Sequence, residues 1–149
     1  MAELAATMGT GLREKNSSMT TADFHRIFEA DVLNGLVPAT LSDQFFDALY
    51  GDAADGAYDI SLHFSGANDH QLAFEFHLNE RPGKCLVCNL TYGLPEVFSR
   101  HPLIDVKGLV KKIENLLEGT HTVSAWKIGR TREISRKLHV IPLLISLAH

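Results

Sequence analysis

YDISLHF at residues 58–64 and LAFEFHL at residues 72–78 decide the fold class, because both stretches alternate apolar and polar side chains. A period of two is typical of a β-strand with one buried face and one exposed face. The segment between them, SGANDHQ, has the composition of a turn, so the pair predicts an antiparallel hairpin. The polar face of this hairpin carries Asp59, Ser61, His63, Glu75 and His77. We expect that face to meet water, a ligand or a second subunit.

Helical periodicity precedes the hairpin. Residues 20–36 place Phe24, Ile27, Phe28 and Leu33 at helical spacing, and a second short helix follows Thr40. After the hairpin, KCLVCNLTY at residues 84–92 alternates again and predicts a third strand.

The second half of the chain continues with helices and ends with strands. Residues 94–100 predict a helical turn, and Asp105 predicts the cap of an amphipathic helix. Two strands follow at residues 121–128 and 138–147, and Pro142 predicts a bulge or an edge position for the last one. The order ααβββααββ predicts an α+β fold: an antiparallel sheet of about five strands with helices packed on one face.

Size and composition indicate a single globular domain. The chain has 149 residues, of which 45% are hydrophobic and 21% are charged, and these are ordinary values for a folded domain. We expect a flexible leader over residues 1–18 and one α+β domain over residues 19–149. No apolar run is long enough to cross a membrane. Two cysteines in this length indicate a reducing, cytoplasmic setting.

Charge is distributed unevenly along the chain. Residues 19–80 hold eleven acidic residues and one arginine, and residues 81–149 hold eleven Lys or Arg and five acidic residues. The two parts therefore carry −10 and +6, and with a neutral leader they give the net charge of −4. This asymmetry indicates an anionic partner for the second part or self-association of unlike surfaces. The alternative is that the two parts pack together and neutralise each other.

Cys85 and Cys88 form the chain's one C-x-x-C motif, and the residues after it are β-prone rather than helical. A redox pair of the thioredoxin type is disfavoured because it needs a helix start after the motif. A zinc or iron site would need histidines to complete its ligands, and His77 and His63 are the candidates. If the strands pair as the turns suggest, Asp59, His77 and Cys85 lie in one row. That row is a metal site, a Cys–His–Asp nucleophile set or a solvated strand face.

A basic cluster between the last two predicted strands is the candidate anion-binding site. Trp126 lies beside it, and an arginine-rich loop with an aromatic residue is typical of phosphate or RNA contacts. A solvated hairpin turn is the alternative interpretation. The cluster consists of Lys127, Arg130, Arg132, Arg136 and Lys137.

The segment RPGKCLVCNLTYGLPEVFSRHPLID, residues 81–105, resembles a group of small uncharacterised bacterial proteins. The resemblance extends over the chain from Met19 onward. It implies no activity, cofactor or site residue.

The sequence as a whole favours a binding or interaction module over an enzyme. Glycine-rich nucleotide motifs and serine-hydrolase motifs are absent. We expect no cofactor, a homodimer or other homo-oligomer formed through the polar sheet face or the apolar last strand, and a protein or small ligand as any further partner. The alternative function is a metal-binding (zinc or iron) or thiol-dependent protein. The third is weak anion or RNA binding through residues 127–137, although nucleic acid is the less favoured partner.

Overall fold

The computed structural model describes residues 21–68, 70–86 and 93–148. The helices are α1 (Thr21–Ile27), α2 (Ala30–Leu36), α3 (Thr40–Tyr50), α4 (Leu94–Arg100) and α5 (Val106–Leu116), with a 3₁₀ turn at Ala53–Asp55. The strands are β1 (Tyr58–Asn68), β2 (Gln71–Glu80), β3 (Thr122–Ile128), β4 (Arg132–Ser135) and β5 (Leu138–Ala148).

The five strands form one antiparallel sheet, so the predicted α+β class is confirmed. Its order is β1-β2-β5-β3, and β4 also pairs with β5. The β3 and β4 strands lie end to end along the same edge of β5, because β3 pairs with residues 143–148 and β4 with residues 138–140. The set of strands that form the sheet differs from the prediction in two places. Residues 84–86 are not a strand, and β4 forms within the segment that the sequence predicts as a basic loop.

The helices pack on the apolar face of the sheet. Phe28, just after α1, meets Phe74 of β2 edge to face at 5.1 Å between ring centroids. Phe98 of α4 meets Phe76 of the same strand at 5.3 Å. Leu109 and Ile113 of α5 belong to the same buried core. Burial of these large side chains is the main favourable term in the stability of such a layer.

The helix predicted over residues 20–36 is divided in two. Glu29 has an extended backbone, with φ −74° and ψ 166°, and it separates α1 from α2. Phe28, 2% exposed, packs against Phe64 and Phe74 at this break. A straight helix keeps one stripe toward the core, and the bend lets Phe28 and Leu33 both reach it.

The C-terminal strand is central rather than at an edge, which corrects the prediction made from Pro142. Pro142 pairs with Glu75 of β2, and its carbonyl accepts from the Gly129 N–H at 2.9 Å. The N and C=O of one strand residue point to the same side, so the hydrogen bond that proline cannot donate is missing on the β3–β4 side. That position is where β3 has ended and β4 has not begun.

The predictions for the two later helices are confirmed. The α4 helix has the predicted bounds, and the Asp105 carboxylate accepts from the Gly108 N–H at 3.2 Å at the start of α5. The apolar face predicted for α5 is buried, and it includes Val106, Leu109 and Ile113. None of the helices in the described ranges has the length and apolar character that crossing a bilayer requires.

Candidate functional site

The register of the hairpin decides which polar side chains meet. Ser61 pairs with His77, His63 with Glu75, and Asp59 with Asn79. The sequence predicts Asp59 opposite His77, so that register is wrong by two residues. The first strand continues beyond Phe64 to Asn68, with a bulge between Phe64 and Gly66. Only two residues therefore separate β1 from β2.

The other neighbour of β2 is also different from the prediction. His77 pairs with Val140 of β5, and Glu75 pairs with Pro142. Because β5 occupies this side of β2, Cys85 does not lie opposite His77. The predicted row of Asp59, His77 and Cys85 is therefore wrong.

The face of the sheet opposite the helices, which we call the open face, carries a connected set of polar side chains. Arg132 of β4 donates to the Glu75 carboxylate at 2.8 Å, and the other oxygen of that carboxylate lies 3.0 Å from His77 Nε2. The rings of His77 and His63 stack, with centroids 3.7 Å apart and an interplanar angle of 20°. We call the whole set the histidine network: Ser61, His63, Glu75, His77, Asn79 and Arg132.

The far end of the histidine network is a serine with two neighbours. The Ser61 hydroxyl lies 3.1 Å from His63 Nε2 and accepts from the Asn79 amide at 3.4 Å. A serine nucleophile needs a histidine that a third group orients. No carboxylate in the described ranges hydrogen-bonds to His63, and Glu75 is engaged by Arg132 and His77. The arrangement therefore lacks the third member of a catalytic triad.

Burial and charge both act on His63. Partial desolvation on the sheet lowers the pKa of His63 below 6.5, and the positive charge that His77 carries when protonated lowers it further. The Glu75 carboxylate opposes these effects. The neutral imidazole is thus favoured at His63. A neutral ring stacks on His77 without charge repulsion between the two rings.

The described residues do not assemble the predicted metal site. Stacked rings direct their nitrogen lone pairs along nearly parallel planes, so His63 and His77 do not converge on one ion. Within residues 21–68, 70–86 and 93–148, no group of three or more His, Cys, Asp or Glu side chains is placed to hold a metal. Zinc or iron binding stays a prediction.

Cys85 is half-buried and disulfide-bonded, so it is not the reduced thiol expected from the sequence. A sulfur in a disulfide is not a thiolate, and thiolate is the form that binds metal or attacks a carbonyl. The chain's other cysteine, Cys88, lies outside the described residues. The loop at Cys85 is held by its neighbours, because the Leu86 N–H donates to Glu80 at 3.0 Å and Leu86 is fully buried.

The five predicted anion-binding residues do not form one patch. Lys127 and Arg132 occupy open-face positions of β3 and β4, where Arg132 is paired with Glu75. Arg130 lines a groove beside α4. Arg136 and Lys137 lie at the exposed turn between β4 and β5.

Two features of the site were not foreseen from the sequence. The first is the stack of His63 on His77, for which the available signal was the run of turn-forming residues Gly66, Asn68 and Asp69 in the sequence, which also allows a later turn than the one predicted. A tight turn there gives the observed register. The second is Arg132, which no local pattern joins to Glu75, because 57 residues separate the two side chains.

The predicted leader, residues 1–18, lies outside the described residues.

Comparison of the chain with protein-family models, with curated proteins and with solved structures finds no match. The function is therefore inferred from the geometry of the chain itself.

Proposed function

We propose that this protein is a binding module that self-associates through the open face of its sheet and forms a symmetric dimer. The observation that carries the proposal is the apolar strip at the centre of that face. Leu138, Pro142 and Leu144 of β5 are half-buried there, on the side opposite the helices. Two sheets that pack face to face bury such strips against each other.

The polar rim of the open face supports a second copy of the chain as the occupant. Lys127 is exposed at the β3–β4 edge, and the Asp59 carboxylate, although it pairs with Arg81, is still 58% exposed at the β1 edge. A two-fold axis parallel to the strands brings the acidic edge of one copy over the basic edge of the other. Isologous interfaces require this kind of self-complementary surface.

Strand addition at the β1 edge or along the apolar C-terminal strand is disfavoured. The Ile60 N–H of β1 donates to the buried Ser42 hydroxyl of α3 at 2.7 Å, so this edge position is already satisfied. The apolar C-terminal strand lies between β2 and the β3–β4 edge and is not available for strand addition. Face-to-face packing is consequently the mode that we propose.

The test is sedimentation velocity of the full chain over a wide concentration range, beside a Leu144→Glu variant. We expect a dimer whose dissociation constant rises at least tenfold in Leu144→Glu, because a carboxylate on the strip must be desolvated in the interface. Leu49→Glu is the matched control, since Leu49 is 44% exposed on α3, away from the open face.

Three results would contradict the proposal. One is a wild-type protein that stays monomeric at all concentrations. Another is a dimer that Leu144→Glu leaves unchanged, and the third is a dimer that Leu49→Glu weakens equally. Circular dichroism of both variants confirms that any loss of association is not a loss of fold.

A further inference from the structure

A groove of about 940 Å³ lies on the helix side of the sheet, between α4 and the end of β3. Ligand pockets occupy roughly 300–1,000 Å³, so the groove has the size of a small-molecule site. It is separate from the open face, because its walls come from α4, the residues just after it, and residues 128–130.

One part of the groove is apolar. Val97 is 36% exposed, which is high for a large apolar side chain in this molecule. Pro95, Pro102 and Ile128 lie along the same groove. This surface offers contact to a hydrocarbon or aromatic body.

The other part of the groove is cationic. Arg130 is exposed and makes no hydrogen bond or ion pair within the described ranges, and Arg100 is held by Glu96 at 2.7 Å. The Nδ1 of His101 accepts from the Leu103 N–H at 3.2 Å, which places the proton of the neutral ring on Nε2 as a donor. Glu96 is the one carboxylate among the lining residues and is already paired.

The backbone of the groove wall is fixed next to Arg130. The Gly129 N–H donates to the Pro142 carbonyl at 2.9 Å. A Cβ at Gly129 would lie 2.7 Å from Pro142 Cγ, so the absence of a side chain is required for this close approach. The central strand thereby holds the start of the Arg130 side chain in place at the groove.

We propose that this groove binds a small organic anion with an apolar body. The anionic group pairs with Arg130 and accepts from His101 Nε2, and the apolar body lies on Val97, Pro102 and Ile128. An arginine without a partner beside an apolar wall matches this ligand chemistry, because a carboxylate gains a charge-assisted hydrogen bond. A cationic ligand of the same shape meets Arg130 and is disfavoured.

The test is a titration of the ¹⁵N-labelled full chain followed by amide chemical shifts, with hexanoate and with hexylammonium as probes. We expect hexanoate to shift the amides of residues 128–130 and 97–101 and to bind at least fivefold more tightly than hexylammonium. Arg130→Gln should weaken hexanoate binding at least fivefold. The matched control is Arg136→Gln, since Arg136 is exposed at the β4–β5 turn and does not line the groove.

Equal binding of the two probes would overturn the proposal, as would shifts centred on the open face or an Arg130→Gln variant that binds like the wild type. The Leu144→Glu variant provides a separate check. It should bind hexanoate normally whether or not the chain dimerises, because Leu144 lies on the opposite side of the sheet.

Discussion

His63 and His77 are the residues whose chemistry depends most on their neighbours. Their rings stack at 3.7 Å, so two imidazolium charges there would repel each other. The Glu75 carboxylate lies 3.0 Å from His77 Nε2 and is itself shared with Arg132. Two histidines that sequence inspection treats as ordinary strand residues are thus part of one connected set of polar contacts.

His63 makes the stability of the fold dependent on pH. Because its pKa is lower in the folded chain than the ordinary 6.5, the unfolded chain binds more protons below that pH, and stability decreases as the pH falls from 6.5 through the folded pKa. We expect His63→Gln to reduce the loss of unfolding free energy between pH 7 and pH 5. The change is roughly a few tenths of a kcal/mol, since solvent screens this exposed group.

Urea unfolding of the wild type and the variant at the two pH values measures this effect. His70→Gln is the control, because His70 is exposed at the end of the hairpin and away from the stack. An unchanged pH dependence in His63→Gln would show that the stack does not favour the neutral ring.

Among the elements, β5 explains both the order of the sheet and the position of its one proline. A proline in a central strand normally removes a ladder hydrogen bond. Here the missing donor faces the interruption between β3 and β4, while the Pro142 carbonyl still accepts from Gly129. The break between the two edge strands therefore lies beside Pro142, where no backbone N–H is available to pair with an edge strand.

The contact between α3 and the edge of β1 supplies a second prediction. Ser42 is fully buried, and its hydroxyl accepts from the Ile60 N–H at 2.7 Å. We expect Ser42→Ala to reduce the unfolding free energy by about 1–3 kcal/mol, because a buried backbone donor loses its partner. Amide hydrogen exchange at Ile60 should accelerate in the same variant.

Ser99→Ala is the matched control for that prediction. The Ser99 hydroxyl is exposed and donates only to the Glu96 carbonyl of its own helix. Equal destabilisation by the two variants would contradict the role of Ser42 in closing the edge of β1.

At the scale of the whole molecule, the acidic and basic parts of the chain meet through specific ion pairs. Arg81, whose side chain is 14% exposed, donates to Asp43 at 2.8 Å and to Asp59 at 3.0 Å. It also donates to the Ala53 carbonyl at 2.8 Å and lies over the Phe46 ring. Together with Arg132 and Glu75, these contacts show that the two parts of the chain partly neutralise each other.

Arg81→Gln tests how much this junction contributes to stability. We expect a loss of about 2–3 kcal/mol in the free energy of unfolding, because hydrogen bonds to charged groups are lost in a largely buried position. Arg136→Gln, at an exposed turn, should change stability by less than about 0.5 kcal/mol. Denaturant unfolding measures both changes. A loss below about 0.5 kcal/mol in Arg81→Gln would contradict the proposed contribution of the Arg81 contacts to stability.

The accuracy of sequence-based prediction follows the range of the interactions involved. The bounds of α4, the Asp105 cap and the two faces of β2 depend on residues close along the chain, and these predictions are confirmed. The single helix over residues 20–36 was wrong because core packing of Phe28 and Leu33 outweighs local helical preference. The strand predicted from residue 84 was wrong for residues 84–86, which form no ladder.

The sequence by itself determined the fold class, because hydrophobic periodicity and caps are written in residues a few positions apart. Only the tertiary structure decided that β5, rather than the segment at Cys85, pairs with β2. That choice depends on burying both apolar strands under the same helices, which no local pattern specifies. It also places Arg132 beside Glu75 and stacks His63 on His77, so the histidine network exists only in the folded chain.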